Sequence, residues 1–326
     1  MLRWLSLRLL WAALTLLGIT FVTFCALDLA PVDRASLELA LRSEQPGAPE
    51  LSAVNREVAL AKLRIRYGLV DSKTLEPAPV HQRYARWLAN AVTLRFCGPG
   101  DDPEEFRARI RRAVPVSLQL GALALAVALA FGIVVGARLG MRPSSREDRI
   151  VGGAMLLLTG VPDALVATLA LVLFAGPVFD LLPVGGLDTW AHYVMPVCVI
   201  AVGPGVMIAR FLRESVARAA SSPFADNLEA WGFTARERSR RILRVALAPI
   251  ATLAGSLLPM LVAGSIVVET VFTIDGVGRL AFEAVRANDH AMVMAVTLLT
   301  ACATLFGFVA SDLLHRAVDP RVRLVR

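Results

Sequence analysis

Six windows without a single Asp, Glu, Lys or Arg, residues 9–27, 114–137, 164–179, 193–209, 245–268 and 291–311, set the terms on which this chain can fold. An α-helix crosses the hydrocarbon of a bilayer in roughly 17–25 apolar residues, so five of the windows suffice as they stand. The third is short, and becomes a full span only if its helix begins near Ile150 and runs through Pro162-Asp163. A proline interruption of that kind is tolerated where neighbouring helices satisfy the backbone groups it frees. Hydrophobic residues make up 56% of the chain and its mean hydropathy is +0.62, against ~45–50% apolar residues in soluble domains. The expectation is an all-α polytopic membrane protein with six transmembrane helices.

Arg3 and Arg8 precede the first window as they would in a signal peptide. The apolar run is longer than the roughly 7–15 residues of a secretory h-region, and no small-residue cleavage site closes it. Phe24 occupies the position before Cys25 where a lipoprotein signal needs a small residue. Residues 1–30 are therefore expected to stay as an anchor helix.

Short cytoplasmic loops concentrate Lys and Arg. Arginines cluster at Arg3 and Arg8, at Arg138, Arg142, Arg146 and Arg149, at Arg218 with Arg236, Arg238, Arg240, Arg241 and Arg244, and at Arg316, Arg321, Arg323 and Arg326. The loop 175–189 has none. That alternation predicts a multi-pass membrane protein with both termini in the cytoplasm. Its parts are an anchor 1–30, an extracytoplasmic segment 31–112, a membrane core 113–318 with a cytoplasmic loop 214–248, and a tail 319–326. The net charge of +7 is then a topological signal, and nucleic acid is not a predicted partner.

Within 31–112, Val54, Val58, Ala61 and Ile65 recur at helical spacing, as do Val80, Tyr84, Trp87, Leu88, Ala91 and Val92, which predicts two short amphipathic helices. Asp102-Pro103-Glu104-Glu105 supplies an N-cap, a proline at the first helical position and acids in the first turn, leading into the second span. The segment reads equally as a cap over an outer gate, a docking surface or an extended connector.

Several chemistries are missing from the sequence. A P-loop needs Gly-Lys followed by Ser or Thr, and the two lysines, Lys62 and Lys73, follow Ala61 and Ser72. The histidines His81, His192, His290 and His315 are scattered without zinc-ligand spacing. Cys25, Cys198 and Cys302 fall in apolar windows and Cys97 has no evident partner. No catalytic residue, metal or cofactor is predicted.

The loop 214–248 is punctuated by helix signals. Ser222-Pro223 offers an N-cap with proline at the first position, Asp226 falls near that helix's positive end, and Gly232 can end it in a left-handed conformation. Thr234-Ala-Arg-Glu237 fits a capping box for a second helix. The unit is a short helix, a glycine hinge and a basic helix that climbs into the membrane. The bland alternative is a solvated basic loop, which accounts for the arginines and not for the back-to-back caps.

This helix–Gly–helix resembles the EAA loop of ABC importer permeases, whose coupling helix sits in a groove on the ATPase. The whole chain resembles the first permease subunit of bacterial dipeptide and oligopeptide importers. The resemblance runs through the start "RLLWAALTLLGITFVTFCALDLAP", Val114-Pro115-Val116-Ser117-Leu118, Leu182-Pro183-Val184-Gly185-Gly186, "GSIVVETVFTIDGVGRL" at 264–280 and Asp319-Pro320-Arg321. Two stretches depart from the pattern. Leu228-Glu-Ala-Trp-Gly232 stands where Ala-Arg-Ala-Lys-Gly is usual, and Ile274-Asp275-Gly276 where Trp-Pro-Gly is usual.

The resemblance implies a second permease subunit, two ABC ATPases, an extracytoplasmic peptide-binding protein and the lipid bilayer as partners. It assigns Asp226, Leu228, Glu229, Ala230, Trp231, Gly232, Thr234 and Glu237 to ATPase coupling. Ionisable or helix-breaking residues inside spans make Pro162, Asp163, Pro204 and Glu269 candidates for the pathway or a gate. Asp163 has a bland alternative, satisfying backbone groups at the kink, and Glu269 another, anchoring the outer turn or a partner subunit. Gly203-Pro204-Gly205 suggests a bend or close helix contact. The alternative cargoes are nickel chelates, peptide antibiotics or other small solutes. An autonomous ion-coupled transporter or channel is the alternative class; it predicts internal repeats and a buried ionisable chain, and the sequence has neither.

Overall fold

The computed structural model describes residues 2–29, 34–43, 52–66, 70, 79–93, 102–176, 179, 181–183, 185–263 and 266–318. The tail 319–326 with Asp319-Pro320-Arg321, the Ala30-Pro31 exit, Val184 and Gly264-Ser265 lie outside the described residues. The chain divides into two compact units, residues 1–113 with 280–302 and residues 114–279 with 303–326.

In the first unit, α1 (Leu2–Asp28) is followed by α2 (Arg34–Ser43), α3 (Ala53–Arg66) and α4 (Val80–Val92). The last two lie where the amphipathic periodicity puts them. α2 escapes that reading because Ala35, Leu37, Leu39 and Leu41 alternate as in a strand; as a helix, it buries Ala35 and Leu39 against Leu63 of α3. α4 fastens to α1 through its own polar and aromatic edge. The Tyr84 hydroxyl is 3.0 Å from Thr20 Oγ1, the rings of Phe21 and Phe24 meet Tyr84 edge-on at 5.3 and 5.6 Å, and Arg83 pairs with Asp28. Only 6% of the apolar window of α1 is buried within the chain, so its surface is left for lipid or another subunit.

Helix α5 (Pro103–Gly140) starts at the predicted proline, where Asp102 Oδ1 accepts the Glu104 N–H at 2.9 Å. It then runs 38 residues, through Pro115, and enters the second unit. There its partner is α8 (Trp190–Ala220). Gly132, Gly136 and Gly140, one turn apart, face α8 so closely that a methyl on Gly136 would sit 2.5 Å from the Ala209 carbonyl and 2.9 Å from Leu212 Cβ. On Gly140, it would sit 2.6 Å from Val216 Cβ. From the other side, Gly205 lies against Ala128 and Phe131. Such small-residue stripes let backbones approach where lipid supplies no hydrophobic drive for association.

Between these helices lie α6 (Arg146–Thr159), α7 (Asp163–Ala170) and one π-helical turn, Leu171–Ala175. The third window departs from the single interrupted helix expected of it. The chain breaks at Gly160-Val161-Pro162 and the two pieces meet at 105°. The fixed φ of Pro162 and the restriction it puts on Val161 make a fresh start cheaper than a kink. After α8 come α9 (Pro223–Ala230), α10 (Ala235–Ala263), α11 (Ile266–Val271), α12 (Val277–Arg286) and α13 (His290–Val318).

Among the described residues, four helices are long and apolar enough to cross a membrane: Ser6–Asp28, Pro103–Gly140, Trp190–Ala220 and His290–Asp312. The bent pair makes a fifth if it counts as one span, and the window 245–268 falls on α10 and α11. These numbers are compatible with six spans. The core of the second unit gathers Ile208, Leu212 and Val216 of α8, Ala225 of α9, and Ile242, Ala246 and Ile250 of α10.

Replacing Gly136 with Ala is expected to force α5 and α8 apart and lower stability by about 1–3 kcal/mol. Gly152→Ala, where nothing lies within 4 Å, should be neutral or gain about 0.4–1 kcal/mol. Thermal unfolding of the purified protein in detergent distinguishes the two.

Candidate functional site

The hinge between α8 and α10 is built by backbone bonds. Ser222 adopts the extended conformation of an N-cap (φ −90°, ψ 156°) and Pro223 is the first helical residue. The Ser222 hydroxyl does not cap α9, however. It donates to the Ala219 carbonyl at 2.7 Å and so ties α9 to the last turn of α8. At the other end, the Phe233 N–H bonds the Leu228 carbonyl at 3.2 Å and the Gly232 N–H bonds the Glu229 carbonyl at 2.9 Å. This is the Schellman pair, which requires a left-handed residue between them, and Gly232 has φ +77°. No atom lies within 4 Å of where a Cβ would stand, so the demand for glycine is conformational and not a matter of space.

Thr234 and Glu237 make the predicted box. The Thr234 N–H and hydroxyl donate to Glu237 Oε2 at 2.9 and 2.8 Å, and the Glu237 N–H reaches Thr234 Oγ1 at 3.4 Å. Hydrogen bonds from the Thr234 hydroxyl and then its amide, with the positive charge of Arg241 adding less, hold the Glu237 carboxyl below its ordinary range.

The eight coupling candidates separate by exposure. Leu228 is 2% exposed, so it anchors α9 from below and offers nothing to a partner. Amphipathic spacing carries the signal for this, since Ala225 and Leu228 are i and i+3. Asp226, Glu229, Ala230, Gly232, Thr234 and Glu237 are exposed, and Trp231 is 74% exposed. Of the five arginines at 236–244, Arg238 pairs with Glu229 across the hinge. The guanidinium of Arg241 lies 4.1 Å over the Phe233 ring, a cation–π contact, and Trp231 meets the same ring edge-on at 6.5 Å. These two arginines brace the hinge, a use that loop charge alone does not reveal. Arg236, Arg240 and Arg244 remain exposed along one side.

Of the four pathway candidates, Asp163 alone is among the residues lining the groove beside α8. Glu269 is 1% exposed. Its Oε1 accepts the Ser117 hydroxyl at 2.7 Å and its Oε2 accepts the Arg279 N–H at 3.0 Å, while Ser117 Oγ accepts the Val277 N–H at 2.8 Å. Gly276 and Gly278 leave room for this carboxylate: a Cβ on either would stand 2.4 or 3.0 Å from Oε2. Glu269 thus pins the turn 272–279 onto α5. Pro204 lies within a helix that stays unbroken from Trp190 to Ala220. Pro162 precedes α7 without a side-chain cap. Asp163 at the start of α7 lines an open groove of about 480 Å³ with Val161, Gly203, Met207, Arg210, Phe211 and Glu214. The amides of α7 at Leu165 and Val166 bond the Pro162 carbonyl, so Asp163 is not needed to satisfy them.

A capped hinge set between α8 and α10 of a small-residue-packed unit, in a chain with several apolar spans, is the layout of a polytopic membrane protein whose loop is shaped for contact. Residues 128–324 match the model of the binding-protein-dependent transport system inner membrane component. The chain belongs to that family. It is 32% identical over 216 residues, 66% of its length and 71% of the relative's, to the dipeptide transport system permease protein DppB of Lactococcus lactis subsp. cremoris. It is 27% identical to the protein of the same name from Bacillus subtilis, over 96% of both chains. To the oligopeptide transport system permease protein OppB of Haemophilus influenzae it is also 27% identical, over 99% of this chain and 100% of that one.

Thr234→Val is expected to destabilise the hinge by about 0.5–2 kcal/mol, read as faster amide exchange at Thr234 and Glu237. Because the pKa of Glu237 is lowered on folding, its contribution is full above the unfolded value and lost as pH falls through the folded one. Exchange at these amides, corrected for intrinsic rate, should rise on acidification in the native protein and not in Glu237→Gln.

Proposed function

We propose that this chain is the membrane-spanning permease subunit of an ABC importer for peptides and forms half of its translocation pathway. It catalyses no reaction itself. Two ATPase subunits on the cytoplasmic side hydrolyse ATP, a second permease subunit completes the pathway, and an extracytoplasmic peptide-binding protein delivers the cargo. Both termini and the hinge are cytoplasmic, a reading supported by the arginine distribution.

The observation that carries the reading is the geometry of residues 222–237. A short helix locked to the end of α8 by the Ser222–Ala219 bond and released into α10 through a left-handed glycine behaves as a rigid lever. Its exposed side, with Asp226, Trp231 and the arginines, is the surface an ATPase grips. Trp231, where relatives of this type are expected to carry lysine, replaces a charge by an aromatic anchor and selects a partner with an apolar pocket. Cargo follows from the relatives, which are named for dipeptide and oligopeptide transport along nearly the whole chain. Asp163 and the groove beside α8 contribute to the pathway, and Glu269 holds the outer turn that borders it.

Gly232→Val places a β-branched residue at φ +77°, a conformation costing an L-residue about 1–2 kcal/mol or more. ATP-driven uptake at matched expression should fall roughly tenfold, and unchanged uptake would remove the coupling role. Co-purification tests the class: uptake of radiolabelled dialanine or trialanine should require all partner subunits, whereas transport by this chain alone contradicts the proposal. In intact cells, an impermeant thiol reagent should label Asp188→Cys and spare Asn227→Cys.

A further inference from the structure

Asp148, in the first turn of α6, is 4% exposed. It grips Arg213 of α8 through both oxygens, Nε to Oδ1 at 2.5 Å and Nη2 to Oδ2 at 2.6 Å. Oδ2 also accepts the Ser144 N–H at 2.9 Å, and Ser144 holds φ at +63°, a strained position for a residue with a side chain. The Asp148 amide is itself capped by the Ser145 hydroxyl at 3.1 Å. The loop thus aims the carboxylate before the guanidinium meets it. A bidentate pair fixes distance and angle together.

We propose that Asp148 and Arg213 form a positioning strut that makes α6 travel with α8, and through α8 with α9, so that displacement of the coupling helix reaches the groove beside Asp163. This rests on the permease reading above. The turn of α8 that carries Arg213 packs against the helices on either side of the hinge, whose own bond to α8 lies further on at Ala219. Leu212 and Val216 pack with Ala225 of α9 and with Ile242 and Ala246 of α10, and Ser215 Oγ donates to the Ala246 carbonyl at 3.2 Å. Elsewhere along the two helices, among the described residues, the core is apolar: Met155 of α6 packs with Val206 and Ala209 of α8, along with Leu139 of α5. A second ion pair of α6, Glu147 with Arg138, is solvent-exposed and goes to α5, while the apolar contacts with α8 are non-directional, so neither fixes the angle of α6 on α8. Leu158 and Thr159, at the end of α6, line the groove opposite Arg210 and Glu214 of α8, so the angle of α6 sets its width. The strut removes the pivot.

The test uses the complete transporter in proteoliposomes, with native cysteines replaced and spin labels at Leu157→Cys on α6 and Ser221→Cys after α8, both exposed positions. The native distance distribution should be narrow and the same in the nucleotide-free and vanadate-trapped states. In Asp148→Asn and Arg213→Gln it should broaden or change with nucleotide. Those variants should keep ATP hydrolysis within about twofold while dialanine and trialanine uptake falls roughly fivefold to 30-fold. Arg213→Lys, which keeps the charge and loses the fork, should fall between.

A native distance that shifts by roughly 5 Å, about one helical turn, overturns the strut without recourse to any variant. So do variants with native distances and a native ratio of uptake to hydrolysis. A native complex that hydrolyses ATP and moves neither peptide defeats the cargo reading, while the distance arm still decides the strut.

Discussion

Backbone contact between α5 and α8 is the constraint on which the second unit depends. Three glycines, Gly132, Gly136 and Gly140, bring the two helices closer than any side chain allows, and Gly205 completes the contact from α8. In water such a pairing would add little to a buried apolar core. In a bilayer the lipid tails are as apolar as leucine, so close van der Waals packing must do what solvent exclusion does elsewhere. With α8 fixed in this way, everything functional hangs from it. The hinge is bonded to its end, α6 is pinned to its flank, and the groove opens along its face.

Two buried polar contacts orient what they join. Glu269 joins Ser117, Val277 and Arg279 in one buried network, which fixes a turn otherwise free to move at the far end of α11. Asp148 and Arg213 do the same at the opposite end of α8. Buried ionised groups are stabilising only when well paired, and removing one partner strands the other. Such pairs suit points where geometry matters more than stability. The hinge relies instead on caps, on glycine and on the braces of Arg238 and Arg241, and leaves Asp226, Trp231, Arg236, Arg240 and Arg244 exposed to meet a partner.

Much of this was legible in the sequence for a physical reason: the signals are local. Apolar length, the Gly232 stop and the Thr234–Glu237 box are written within a few residues. The same holds for α4, with its inward face at Tyr84, Trp87, Leu88 and Ala91, whereas α3 forms where its periodicity puts it but buries Leu63 with Ala59 and Leu60 and leaves Val54 and Val58 of the expected face exposed. Three features were passed over. The Gly132-x3-Gly136-x3-Gly140 spacing was present to be read, and its small-xxx-small form is the signal that points to α8. The 105° break was signalled only as a kink, because proline alone does not say whether a helix resumes in line. The pairing of Asp148 with Arg213 spans 65 residues and has no local signature beyond the Ser145 cap. Leu228 and Glu269 illustrate the converse case, in which a family motif marks a residue and only the fold tells whether it faces a partner or the core.

The central claim is that α9, α8 and the inner ends of α5 and α6 form one body driven by the ATPase. Cryo-electron microscopy of the assembled transporter, nucleotide-free and trapped with ATP, tests it most directly. Superposition on residues 205–220 should bring residues 136–159 and 222–246 within about 1 Å in the two states, the scale expected of a pre-organised element. Movement of residues 222–231 against 205–220 by several times that amount would contradict the account.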